Sequence, residues 1–454
     1  MTALTAAPVV GIVADDLTGA ADSAVQFARD GWTSRLVLGA DDVVVGEAGS
    51  VTAAVTDARA LDADSARAAT RDAVRDLSRD GAELVFVKID STMRGSVGPQ
   101  VTGALEAWRV EHPDAFAVVT PAYPAMGRTV RHGELLVDGA RVETTAVGRD
   151  PVTPVLTSDL AVLVPGSVSV VVDRDDVPGT ARRLVQGGSS GVGIVVADAE
   201  TDDDLRILAE AVALLGPRAV PVGSAGLAVA VSSAWSADLS AATPRAAERS
   251  SHVVVVMSSL HDASLTQYDH LVRSWGGTSG AGPGGPLLRT ISPTLDEARA
   301  GDLDALLRGG PAARPAGGRV PAGRVTVVLA PPRDEGPGAG RASPGQDGPT
   351  DAELVATVLA ALTDRLVGDV DDTALVLVGG EGARAVLRCA GADTVLVHGA
   401  LREGVPWGTL EGGRLHGRPV VTKAGGFGTA ATIAAVVADL LDTSHRSDLE
   451  GATS

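Results

Sequence analysis

Cysteine and lysine are almost missing from this chain. Cys389 is the single cysteine among 454 residues, which excludes an intramolecular disulfide. The eight histidines form no Cys/His cluster, so a structural zinc site is not expected. No apolar run approaches the roughly 18 to 20 residues of a membrane span, and the N-terminus lacks the basic start and long apolar core of a signal peptide. A cytoplasmic protein with no membrane partner is expected. A G-x-x-x-x-G-K-[ST] sequence is also absent, which excludes a P-loop NTPase at the level of motif. Aromatic residues make up only 2% of a chain that is 45% hydrophobic, so the core must be built from Val, Leu and Ala. That composition suits an α/β fold of parallel strands covered by helices on both faces. Positive charge is in deficit too: the net charge of −19 argues against nucleic acid or an anionic membrane as the main partner. An anionic substrate therefore has to be met by a local basic pocket.

The two lysines that are present, Lys88 and Lys423, each sit where an apolar run meets a loop rich in Gly or in Ser and Thr. A compact point charge there suits a phosphate or a carboxylate. The same arrangement opens the chain, where Val9 to Ala14 reads as a strand and breaks into Asp15-Asp16-Leu17-Thr18-Gly19 before a helix that runs from about Ala20 to Arg29 and stops at Gly31. Ligands of open α/β sheets bind beyond the carboxyl ends of the strands, which is where the two aspartates fall. Paired carboxylates repel an anion but suit a hydroxyl, its proton or a cation. Their alternative reading is a helix N-cap beside a solvated neighbour. The strand Leu84 to Asp90 places Lys88 and Asp90 on one face, with Ser91, Thr92 and Arg94 just beyond, a set able to grip a small polyhydroxy acid. A third strand, Ala115 to Thr120, runs into Pro121–Arg128 and brings another arginine.

At 454 residues two domains are expected: 1–235, a linker at 236–251, and 252–442 with a Gly/Pro-rich insertion at about 276–348, followed by a tail at 443–454. In the first, Asp138-Gly139 signals a hairpin between Gly133–Val137 and Arg141–Thr145. Strands follow at Val168–Val172, Gly193–Ala197 and Ala219–Val222, with a helix at Leu205–Leu215 capped by Thr201 or Asp202. In the second, strands are expected at Val253–Met257, Val325–Leu329, Leu375–Val378 and Thr394–Val397, helices near Leu295–Leu307 and Asp351–Leu366, and a loop over Glu403–Gly408. Small-residue turns at Ser258-Ser259-Leu260, Gly379-Gly380-Glu381-Gly382-Ala383 and Lys423 to Gly428 fit close approach of backbone N–H groups to phosphates. The match of Gly280 to Gly285 to G-x-G-x-x-G has no flanking strand or helix and is discounted. Cys389 reads as a buried structural thiol, and His132 and His261 as loop histidines.

Taken in order, seven segments resemble the four-carbon acid sugar kinases, which phosphorylate threonate, erythronate and oxo-tetronate species with ATP. They are Ala14 to Asp22, Lys88 to Gly95, Pro121 to Arg128, Gly133 to Gly139 with Asp150-Pro151, Gly223 to Leu227, Gly379 to Ala383, and Gly404 to Gly408 with Lys423 to Gly428. The resemblance implies two α/β domains with mainly parallel sheets, a sugar-acid-binding N-terminal domain and an ATP-binding C-terminal one, with transfer across the cleft between them. It implies Asp16 and Asp15 as catalytic carboxylates, one of them accepting the hydroxyl proton, and Lys88, Asp90, Ser91, Thr92, Arg94 and Arg128 around the acid. ATP falls to Ser258, Gly379, Gly380, Gly404, Val405, Pro406, Trp407, Lys423, Gly425 and Gly426. ATP and Mg²⁺ are the expected cofactors, with no metal ligand assigned, and homo-oligomer formation is left open. Two turns depart from the family's usual form: Met257-Ser258-Ser259-Leu260-His261 replaces a Gly-Ser-Cys-Ser type turn, and Gly382 stands where a hydroxyl residue is usual. These departures keep two alternatives in view, a sugar-acid sensor that has lost efficient ATP use and a kinase for another small hydroxy acid.

Overall fold

The computed structural model describes residues 6–37, 46–150, 152–236, 239–240, 246–275, 288–308, 324–332, 350–368 and 372–441. The chain divides into two compact units, Met1–Pro244 and Arg245–Ser454. Most of the Gly/Pro-rich insertion, including Gly280 to Gly285, the tail at 443–454 and Pro151 lie outside the described residues. Among the described residues no helix is long and apolar enough to cross a membrane.

The first unit carries strands β1 (Val10–Ala14), β2 (Thr33–Val37), β3 (Ser50–Val55), β4 (Leu84–Lys88), β5 (Phe116–Thr120), β6 (Arg128–Arg131), β7 (Glu134–Val137), β8 (Ala140–Arg141), β9 (Val168–Val170), β10 (Ile194–Ala197) and β11 (Ala219–Gly223). Eight of them form a sheet in the order β2-β3-β1-β4-β11-β5-β10-β9, parallel throughout. β1, β4, β5 and β11 are buried along their whole length, as expected of strands covered on both faces. The chain leaves β1 toward β3 and β2, then crosses to β4 on the other side. The boundary between β1 and β4 is thus the point where strand order reverses, and a crevice opens at the carboxyl ends of such strands. Several of the few aromatics lie in this core: Phe27 packs edge-on to Trp32 with ring centroids 5.3 Å apart, and Trp235 lies 6.5 Å from the same ring.

Strands β6, β7 and β8 form a separate antiparallel sheet. The Asp138-Gly139 turn is there, both residues having positive φ, but β8 is only two residues long and the chain passes into a 3₁₀ turn at Val142–Thr144 instead of continuing as a strand. The Asp198 carboxylate pins this small sheet by accepting the His132 and Gly133 N–H groups at 2.8 and 2.9 Å.

The second unit holds β12 (His252–Met257), β13 (Leu288–Ile291), β14 (Arg324–Leu329), β15 (Thr373–Val378), β16 (Thr394–Arg402), β17 (Val405–Glu411) and β18 (Pro419–Lys423), in the order β13-β14-β12-β15-β18-β17-β16. The first five are parallel; β17 runs antiparallel to both β18 and β16. Here the order reverses between β12 and β15. The expected loop at Glu403–Gly408 is therefore corrected to a turn at Glu403-Gly404 and the start of β17. Pro406 and Gly408 read as strand breakers, yet Gly404 supplies the positive φ of the turn and Pro406 sits beside a register shift, where a missing N–H is tolerated. The single helix expected at Leu295–Leu307 is two, Leu295–Ala300 and Leu303–Arg308, parted at Gly301, whose φ is +67°. Cys389, expected to be buried, is exposed: the buried stripe of its helix, Gly380–Cys389, is Gly382, Ala383, Val386 and Leu387.

Candidate active site

At the first reversal point the loops after β1, β3 and β4 converge on one cluster of charge. Asp16 is the N-cap of the helix Leu17–Arg29, its Oδ1 accepting the Gly19 N–H at 2.8 Å. The cap reading is thus correct for Asp16, but Asp15 is no solvated neighbour, since its side chain is fully buried. Both acids share Arg59, on a 3₁₀ turn after β3. Its Nη2 and Nε donate to the two oxygens of Asp15 at 2.7 and 3.0 Å, and its Nη1 donates to Asp16 Oδ2 at 2.9 Å. The same Nη1 lies 3.8 Å from Asp90 Oδ2.

Asp90 organises the loop after β4. It accepts the Thr92 N–H at 3.0 Å and the Thr92 hydroxyl, and Arg94 donates to it through Nε at 3.1 Å and Nη2 at 2.8 Å. The remaining Arg94 nitrogen, Nη1, reaches Asp150 at 3.4 Å. Burial alone would raise Asp90, but the hydrogen bonds from Arg94 and the charges of Arg59 and Arg94 outweigh it and hold the carboxyl well below the usual range. Met93 takes φ +62° and Gly95 φ +87° to make this turn, and a Cβ on Gly95 would lie 2.6 Å from the Arg59 carbonyl oxygen. Glycine at 95 is what lets the β3 and β4 loops touch.

Lys88 ends β4, is 6% exposed, and donates one hydrogen bond, to the Ile89 carbonyl at 3.0 Å. Among the described residues it has no ion pair, which leaves a buried ammonium with unused donors. Gly19 makes room for it: a Cβ there would be 2.7 Å from Lys88 Nζ and 2.6 Å from Asp16 Oδ1. Asp22, one turn further along the helix, is pushed up by burial against the pull of Lys88 and Arg29. Asp15 is raised as well, burial outweighing Arg59. Arg59 itself would be weakened by burial, but Asp15, Asp16 and Asp90 together hold its charge far above the ordinary value.

The structure therefore brings together Asp15, Asp16, Asp90, Thr92 and Arg94, with Lys88 beside them and Ser91 in the same loop. Arg128 is bonded outside this network: it opens β6, and its guanidinium donates to the Met126 carbonyl. Sequence reading missed Arg59 because nothing within its own segment distinguishes it from thirty-five other arginines; only its place at the end of a strand, just after β3, could have drawn notice.

In the second unit the turns after β12, β15 and β18 meet at the other reversal point. Ser258 Oγ accepts the Gly382 N–H at 3.2 Å and donates to the Val378 carbonyl at 3.2 Å. A Cβ at Gly382 would fall 2.3 Å from that of Ser258, so the glycine at this departure is what seats Ser258. The Gly379 N–H donates to the Lys423 carbonyl at 3.0 Å, and Ser264 Oγ donates to the Gly425 carbonyl at 2.7 Å. A Cβ at Gly425 would meet Ser259 Oγ at 1.9 Å, and one at Gly426 would meet His261 Nε2 at 3.2 Å. Lys423 is 3% exposed and donates to the Ala424 and Gly425 carbonyls, and burial pushes it down to about 8. Gly380 opens its helix beside these turns. Gly404 packs against the Phe427 ring, whereas Val405 and Trp407 belong to the hydrophobic core and Pro406 to the strand between them.

Residues 10–231 match the profile described as a sugar-binding N-terminal domain, and 319–433 the one described as a nucleotide-binding C-terminal domain. A D-threonate kinase from Bordetella bronchiseptica is 37% identical over 93% of this chain and 95% of its own length. One from Salmonella typhimurium is 29% identical over 93% and 96%. A solved structure from Haemophilus influenzae shares the fold, with a TM-score of 0.66 at 20% identity over 94% of this chain and 98% of that one. The chain belongs to the four-carbon acid sugar kinase family and is a sugar-acid kinase, a phosphotransferase that acts on an alcohol group with a nucleotide as donor.

Proposed function

We propose that the chain phosphorylates a hydroxyl of D-threonate, with ATP and Mg²⁺, using the cluster at the β1–β4 boundary for the acid. The observation that carries this reading is the buried, singly bonded ammonium of Lys88 beside an exposed edge of Asp16. A cation with unused donors next to a proton acceptor is what a hydroxy acid needs. D-threonate is preferred over its relatives because the D-threonate kinases match over 93% of the chain, whereas a D-erythronate kinase and a 3-oxo-tetronate kinase match over 47% and 50% of it.

In this mechanism Lys88 and Arg94 attract the substrate carboxylate. Asp16 accepts the hydroxyl proton as that oxygen bonds to the γ-phosphorus, the bond to the β,γ-bridging oxygen breaks and ADP leaves. The transition state is loose, so alignment and charge neutralisation are most of the task. The turns at Ser258, Gly379-Gly380 and Lys423 to Gly426 would hold the nucleotide, their backbone N–H groups and the Lys423 ammonium suiting phosphate oxygens. Mg²⁺ would be held largely through those phosphates, its usual mode in nucleotide sites.

The test is a coupled assay of ADP release over a panel of threonates, erythronates and oxo-tetronates with several nucleotides. D-threonate with ATP is expected to give the highest kcat/KM. A different acid at the top would correct the substrate, and tight acid binding without turnover would instead establish the sensor.

A further inference from the structure

Asp15 and Asp16 are adjacent, but the structure treats them differently. Asp15 has no exposed side-chain surface, while 29% of that of Asp16 is exposed, so Asp16 is the one a substrate can touch. Arg59 joins them with its whole guanidinium: two nitrogens close a fork on Asp15 and the third holds one oxygen of Asp16. The other Asp16 oxygen is held by the Gly19 N–H, so both ends of this carboxylate are fixed. The Arg59 backbone is tied down as well, its N–H donating to the Asp15 carbonyl at 3.3 Å and its carbonyl pressed against Gly95.

We infer that Arg59 is a positioning residue for the phosphoryl transfer, aiming the Asp16 carboxylate at the acceptor hydroxyl, and that Asp15 is the buried counter-ion that aims Arg59. The inference rests on the reading of Asp16 as proton acceptor and assigns the neighbouring aspartate a different task. A clamp of the fold alone would need only the fork on Asp15; the third nitrogen, turned to the more exposed acid and toward Asp90, is what a merely structural role leaves unexplained. The other charges facing this guanidinium and its acids are Asp90 and Arg94 from the β4 loop, Lys88 at the end of β4, Asp22 on the helix after β1, and Asp150 behind Arg94.

The experiment compares the parent chain with R59Q, R59K, D15N, D16N and the D15N/R59Q double variant, measuring kcat and the KM for each substrate with the best acid of the panel and ATP. R59Q is expected to lower kcat at least about tenfold with the KM for ATP unchanged. R59K should recover part of the lost kcat, and D15N/R59Q should be no worse than the slower single variant, as expected for residues acting as one unit. If D16N is slow while R59Q matches the parent in kcat, Arg59 only braces the fold and the inference is overturned. If D16N keeps its turnover, the reading of Asp16 fails whatever R59Q does. Should R59Q not fold, R59K and D15N carry the same comparison.

Discussion

Gly19 shows at the scale of one residue how function competes with local preference. It lies in the first turn of the helix Leu17–Arg29, where alanine would favour the helix by about 0.5 to 1 kcal/mol. Yet any Cβ there would push on both Asp16 Oδ1 and Lys88 Nζ. The Gly19→Ala variant is therefore expected to melt within a few degrees of the parent, the gain in propensity offsetting a weakened cap, while kcat/KM for the acid falls at least about tenfold. Thermal melts and steady-state kinetics on one preparation check it; a large fall in melting temperature with normal specific activity would contradict it. The two acids of the same segment were equivalent on the sequence, and burial alone separates them.

Among the elements, the turns following β12, β15 and β18 act as a group. Their glycines are set by contact, with Gly382 against Ser258 and Gly425 against Ser259, so the small residues that suggested phosphate proximity also serve to bring the three turns together. Lys423 has no carboxylate partner among the described residues, and burial brings it to about 8. The charge that would attract phosphate is thus complete below that pH and is lost as pH rises through it. Affinity for an ATP analogue, measured by calorimetry from about pH 7 to 9.5, should fall by up to about tenfold across this range, and Lys423→Met should be weaker and lack that dependence. A parent whose affinity is flat over the range would place Lys423 outside the nucleotide site. The strand pattern of this unit was readable where runs such as His252–Met257 are continuous. β17 was not, because Pro406 and Gly408 are breakers in isolation and are accommodated only by pairing with β16 and β18.

For the whole molecule, an acidic chain is held by carboxylates that must stay ionised. Asp204 would be raised by its burial, but Arg174, at 2.5 and 2.8 Å, and the Glu200 and Thr201 groups bring it down to about 2. Asp90 is likewise held low. Groups that bind their proton more weakly when folded contribute stability that is complete above the ordinary value of 3.8 and disappears as pH falls through the folded one. Asp204→Asn is expected to cost about 2 kcal/mol near neutrality, roughly 4 to 8 °C in the melting temperature of a unit this size. That gap should close as pH is lowered toward about 2. Melting curves of both proteins across that range are the check, and a gap that persists at low pH would show that packing, not charge, is responsible.

Sequence alone determined the α/β class, the strands ending in Asp15-Asp16 and in Lys88 to Arg94, and the family, because long apolar runs and short ordered motifs are local properties that survive without a fold. Tertiary structure decided which charges meet. Arg59, forty-three residues beyond Asp16, became part of the site only because parallel pairing sets β3 beside β1 and a glycine at 95 lets the β4 loop close on the β3 loop. Arg128, which looked equally placed, opens a strand of the small antiparallel sheet and is bonded to the Met126 carbonyl. Pairing between distant strands is settled by burial of both their faces, and that energy is spread over the whole core and written in no single segment.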